Sequence, residues 1–193
     1  MRTVFFDVDT QIDFALPAGA LYAPGAERIL PALAALQRCA QARRIPVIST
    51  VDAHAEDDPE FRIWPPHCVA GTLGQHKLPG TLLDRRVVIP NRAADFDMAG
   101  AYQFILEKQS TDSLTNVNLP RLLEFLRADR YIVYGLVTEY CVRSAAMGLL
   151  KTGKRVEMAA DAICSLRDED AARTFAEFTA AGVRLTTVAA VCA

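Results

Sequence analysis

The chain has 193 residues, enough for one domain with a sizeable core, and 51% of them are hydrophobic. Net charge is −2 with no basic block, which argues against a nucleic-acid or membrane-surface partner, and no apolar run is long enough to cross a bilayer. The five cysteines are scattered and contain no CxxC pair, so neither a disulfide framework nor a cysteine-rich zinc site is expected. The N-terminus carries no signal pattern, and a reducing cytoplasm is the expected compartment.

Short β-branched runs alternate with amphipathic segments along the chain. "TVFFDVD" predicts a first strand. "GAERILPALAALQRCAQARRI" places Ile29, Leu33, Leu36 and Cys39 on one helical face, and "PVISTVD" is a second strand. Ala53 to about Pro90 reads as irregular, rich in Pro, Gly and charge; "RRVVIP" and "QFILEK" are further strand candidates. "LPRLLEFLRA" is a helix with Pro120 near its start, followed by the strand "RYIVYGLV" and a helix opening at Cys141 and closed by Gly153. "RVEMAAD" is a strand, "DEDAARTFAEFTAAG" a helix ending in Gly182, and "VRLTTV" a last strand. This alternation implies one α/β domain over residues 1–193, doubly wound, with a mostly parallel sheet and helices on both faces.

Ligands of such folds sit at the carboxyl ends of the strands. Four strand ends carry Asp13, the Asp52/His54 pair, Lys108 and Cys141 toward one rim. A lone cysteine is ordinarily a packing residue. At a helix N-terminus, however, the partial positive charge and free N–H groups favour a thiolate and hold an oxyanion. Asp13 is then a candidate proton carrier and Lys108 a candidate stabilising cation. Asp52, His54 and His67 form a donor set for zinc, with iron or manganese as alternatives; Glu60 and Asp57 are candidate fourth ligands.

These residues sit in motifs that resemble the isochorismatase-like cysteine hydrolases, most closely the nicotinamidases. "VDTQIDF" is similar to the family's first-strand motif, whose final Asp is taken as catalytic, implying Asp13. "GALYAPGAE" is similar to the turn that follows. "VDAH" and "WPPHCVAGT" resemble the metal motifs and imply Asp52, His54 and His67 as ligands of a divalent metal, zinc first. "EKQSTDSLTNVNL" implies Lys108, and "GLVTEYCVRSAA" implies Cys141 as nucleophile, an oxyanion hole from the backbone of Val137 and Cys141, and a cis Leu136–Val137 peptide. The matches occur in order over nearly the whole chain. The resemblance implies hydrolysis of the C–N bond of a small carboxamide through a thioester, with nicotinamide the leading substrate. Another small amide, an isochorismatase-type vinyl ether and a silent binding protein are the alternatives. Phe14 and Trp64 are expected to flank a flat substrate, and the unusual stretch Leu73 to Gln103 to border the site. The expected partners are a small-molecule amide and further copies of the same chain, a homo-oligomer, with no nucleic acid and no membrane.

Overall fold

The computed structural model describes residues 1–193. Seven strands form one sheet: β1 (Thr3–Val8), β2 (Val47–Asp52), β3 (Arg86–Ile89), β4 (Gln103–Lys108), β5 (Arg130–Leu136), β6 (Arg155–Cys164) and β7 (Arg184–Thr186). They lie in the order β3-β4-β2-β1-β5-β6-β7, and every pairing is parallel. The helices are α1 (Ile12–Ala15), α2 (Leu30–Arg43), α3 (Leu119–Leu126), α4 (Arg143–Leu150), α5 (Asp168–Ala181) and α6 (Val188–Cys192). From β1 the chain moves outward in one direction to β2, and from β5 in the other direction to β6. With right-handed crossovers this reversal puts the helices on opposite faces. The reversal lies beside β1, whose Val4, Phe5 and Phe6 are wholly buried.

β6 runs on to Cys164, beyond the expected strand, and the short helices α1 and α6 are additional. The helix expected to open at Cys141 begins at Thr138 as a π turn, Thr138–Val142, that continues into α4. Cys141 therefore sits inside the first turn of a longer helical segment, three residues past its start.

The stretch from Leu73 to Gln103 is fastened to the sheet. The buried Lys77 ammonium donates to Asp7 at 2.9 Å and to the Thr10 hydroxyl at 2.6 Å. The Gln103 side chain accepts from the Leu83 N–H at 2.7 Å and donates to Ser49 Oγ and the Thr81 carbonyl. No residue of this stretch lines the main pocket, so the expectation that it borders the site is not met.

Candidate active site

Parallel register brings the chemistry-bearing residues together. Asp52 and Lys108 are direct partners at the ends of β2 and β4. Val8, the last residue of β1, pairs with Gly135 of β5. The next residue, Asp9, adopts a left-handed backbone (φ 48°) that turns the chain at the strand end. Gly135 itself has φ 121°, and a Cβ there would lie 2.0 Å from the Val8 carbonyl oxygen. This close approach of two backbones requires glycine.

The expectation that Asp13 joins Cys141 and Lys108 is corrected by the structure. Asp13 lies in α1 beyond the strand end, and its carboxylate is engaged elsewhere. It accepts from the Ala20 N–H at 2.9 Å and the Cys68 N–H at 2.7 Å. Its backbone also bonds Gly74 and Leu21, so it ties the 16–23 turn to the loop that carries His67. The carboxylate beside the nucleophile is that of Asp9, buried to 1% exposure. One Asp9 oxygen accepts from the Thr50 hydroxyl at 2.6 Å, and the other faces Lys108 Nζ at 2.9 Å. Lys108 Nζ lies 3.6 Å from Cys141 Sγ and also pairs with Asp52. The Asp9, Asp52 and Cys141 donor atoms lie within 4.8 Å of one another. Sequence reasoning chose the second aspartate of "VDTQIDF". The signal for the first is its position: it directly follows β1, at the rim where ligands of such sheets bind.

The electrostatics of this cluster are coupled. Burial pushes the Cys141 thiol well above its ordinary value, the Asp9 and Asp52 carboxylates push the same way, and the Lys108 ammonium opposes them. Burial likewise raises Asp9, with Lys108 acting to lower it. For Asp52 burial acts upward too, but the Lys108 ammonium holds it below the usual carboxylate range. Burial would lower Lys108, yet Asp52 and Asp9 keep it firmly protonated. Burial and the two carboxylates thus act against the thiolate that a helix N-terminus favours, and the Lys108 ammonium acts for it.

The Leu136–Val137 peptide is cis, as the resemblance implies, and the Val137 N–H makes no hydrogen bond. Val137 caps the π turn with an extended backbone (φ −103°, ψ 145°) next to the thiol. Cys141, Val137 and Asp9 share a pocket with Phe14, Trp64, Tyr140 and Leu166. Both aromatics expected to flank a substrate thus line it. Trp64 meets Tyr140 edge-on at 5.4 Å between ring centroids.

Asp52, His54 and His67 converge on the far side of Lys108, each buried. Asp52 Oδ2 stands 3.9 Å from both imidazole Nε2 atoms. The two Nδ1 atoms are already committed, His54 to Asp58 at 3.0 Å and His67 to the Pro65 carbonyl at 2.8 Å. Each ring therefore carries its proton on Nδ1 and turns a bare Nε2 inward, the arrangement of metal-binding histidines with oriented outer partners. His54 Nε2 is buried without any partner. The donor set fits a divalent ion, and zinc suits two imidazoles and a carboxylate. Glu60, the candidate fourth ligand, is outside this group and lines the pocket beside it.

Residues 3–190 match the family described as the Isochorismatase domain. Over 203 aligned residues the chain is 25% identical to a nicotinamidase of Escherichia coli (strain K12), covering 94% of this chain and 93% of that protein. It also superposes on the pyrazinamidase of Pyrococcus horikoshii, solved in complex with zinc, at TM-score 0.81 and 26% identity, covering 97% and 99% of the two chains. PnC1 from L. infantum, solved in complex with nicotinate, matches at TM-score 0.79 and 26% identity over 98% and 94%.

Proposed function

The chain belongs to the isochorismatase domain family and is an amidohydrolase of the nicotinamidase-like kind, and from this we propose that it hydrolyses nicotinamide to nicotinate and ammonia through a thioester on Cys141. The observation that carries the reading is the gathering of Asp9 and Cys141 in the lining of one pocket, with the buried Lys108 in contact with both, beside the unbonded Val137 N–H.

In the first half-reaction the Cys141 thiol gives its proton to Asp9 as sulfur attacks the amide carbon. The carbonyl oxygen becomes an oxyanion, held by the backbone N–H groups of Val137 and Cys141. Asp9 passes the proton to the departing nitrogen, ammonia leaves, and a thioester remains. Water then attacks the thioester. Asp9 accepts the water proton and returns a proton to the cysteine sulfur as the acid departs. Lys108 serves both halves: its fixed charge stabilises sulfur while it is anionic and counters the two carboxylates that otherwise oppose ionisation. Asp52, His54 and His67 would hold a divalent ion, zinc on donor chemistry, whose open position would take a ring nitrogen or similar donor of the substrate. Phe14 and Trp64 line the pocket where a flat ring would lie, so that orientation supplies a large part of the rate.

The nicotinamidase relative supports nicotinamide over other small amides. An ammonia-release screen over small carboxamides, with and without a chelator, tests the choice. Nicotinamide should be turned over with kcat/KM of about 10⁴ M⁻¹s⁻¹ or more. A faster amide of another shape would replace nicotinamide in this scheme, and the absence of ammonia from every amide would remove the scheme itself.

A further inference from the structure

The ladder between β1 and β2 ends one step short of Asp52. Its last register pair is Val8 with Thr50, and one further bond runs from the Asp9 N–H to the Thr50 carbonyl at 3.2 Å. Had β1 continued, the Asp9 carbonyl would next accept from the Asp52 N–H. The left-handed turn at Asp9 prevents this, and that carbonyl accepts from the Gln11 N–H at 2.8 Å instead. The Gln11 side chain then takes both backbone groups of Asp52. Its Oε1 accepts from the Asp52 N–H at 2.7 Å, and its Nε2 donates to the Asp52 carbonyl at 2.8 Å. The carboxamide stands where the next peptide of β1 would have stood. Its second Nε2 hydrogen goes to the Gln75 carbonyl, also at 2.8 Å. The Gln75 side chain in turn accepts from the Gly71 N–H, in the loop that follows His67 and bridges to His54 through Val69. Gln11 is wholly buried behind the pocket, which it does not line.

We propose that Gln11 is a positioning residue that fixes how Asp52 divides its carboxylate between Lys108 and the divalent-ion site. The inference rests on the ion site of the proposed function and goes beyond it. Asp52 Oδ1 pairs with Lys108, while Oδ2 stands 3.9 Å from the Nε2 atoms of both His54 and His67. This division holds only while the Asp52 backbone keeps its place, because a shift toward one partner lengthens the contact with the other. β4 fixes that backbone on one side, through the register of Asp52 with Lys108, and Gln11 fixes it on the other. A carboxamide supplies the one acceptor and two donors used here. A carboxylate in its place would face two carbonyl oxygens, and an apolar side chain would leave buried backbone groups without partners. Loss of an outer partner of this kind typically weakens metal binding about 10–100-fold.

The test measures zinc affinity by competition with a chromophoric chelator, on wild type, Gln11→Met and Gln11→Asn, at a temperature where circular dichroism shows each protein folded. Met keeps the length of the side chain without its hydrogen bonds. Asn keeps the carboxamide on a shorter stem, and it carries the test where the first variant does not fold. The zinc dissociation constant should rise at least about tenfold in either variant. The gain in melting temperature on adding zinc should shrink with it. Leu126→Ala serves as the control: it weakens the core where α3 runs into β5, at the opposite rim of the sheet, and its zinc affinity should match wild type. Gln11 variants that bind zinc as tightly as wild type overturn the proposal. An equal loss of affinity in Leu126→Ala overturns it too, because the effect is then one of general stability. Wild type that binds no zinc overturns it together with the ion site. Zinc affinity is read without substrate, so an absence of ammonia release from every amide removes the amidohydrolase reading and leaves this result intact.

Discussion

At the residue scale, the two aspartates of "VDTQIDF" do different work, and substitutions should separate them. Asp9 touches the groups around the reacting sulfur, so Asp9→Asn should cut turnover at least about a hundredfold with little change in melting temperature. The Asp13 carboxylate bonds only backbone N–H groups of two loops. Asp13→Ala strands both donors in a nearly closed site and should cost about 2–4 kcal/mol in urea denaturation, at about 1–2 kcal/mol for each charge-assisted bond. A catalytic Asp13 would show the opposite pattern, a stable and inactive protein. That Asp52, His54 and His67, the proposed metal-holding set, and Cys141, the proposed nucleophile, meet at one rim was legible from their places after the strands and from the resemblance, because imidazole, carboxylate and thiol carry their chemistry in their identity. The choice between two aspartates four residues apart was not. It depends on where β1 stops and on the left-handed turn at Asp9, a backbone property that a string of side chains does not display.

Among the elements, the meeting of β1 and β5 sets the geometry of the nucleophile. Gly135→Ala combines a positive φ with a Cβ 2.0 Å from the Val8 carbonyl, next to Asp9. It should destabilise the protein by about 3 kcal/mol or more and reduce activity beyond the loss of folded protein, measured on the soluble fraction. Retention of wild-type stability and activity would show that the two strands are not pinned by this contact. The stretch from Leu73 to Gln103 behaves differently, since it is fastened away from the pocket through Lys77 and Gln103. Lys77→Met leaves the buried Asp7 without its cation and should cost about 3–5 kcal/mol in denaturation while KM for the amide stays near wild type. A large KM change instead would return this stretch to the site. The strands from β1 to β6 could be read from their β-branched runs. The π turn could not, because "TEYCV" has no composition that distinguishes it from the opening of an α-helix.

For the whole molecule, the strand order places β1 at the reversal of the sheet, and Asp9, Asp52, Lys108 and Cys141 gather around the carboxyl ends of four neighbouring strands. The alternation of strands and helices made this architecture legible, and the rim followed from it. The long-range register that sets Asp52 against Lys108 did not, because it is a pairing between segments 56 residues apart. The same gathering predicts that metal and catalysis are separable. His54→Ala should lose about one equivalent of divalent metal and raise KM for nicotinamide, while Cys141→Ala should keep the metal and lose all turnover; metal analysis beside steady-state kinetics reads both. The central claim is that Asp9, Lys108 and Cys141 form the catalytic unit of an amide hydrolase. Its most direct test is ammonia release from nicotinamide, measured side by side for wild type and Asp9→Asn. Wild type should show kcat/KM of about 10⁴ M⁻¹s⁻¹ or more and the variant a loss of at least about a hundredfold; an Asp9→Asn protein as active as wild type would remove Asp9 from the catalytic unit.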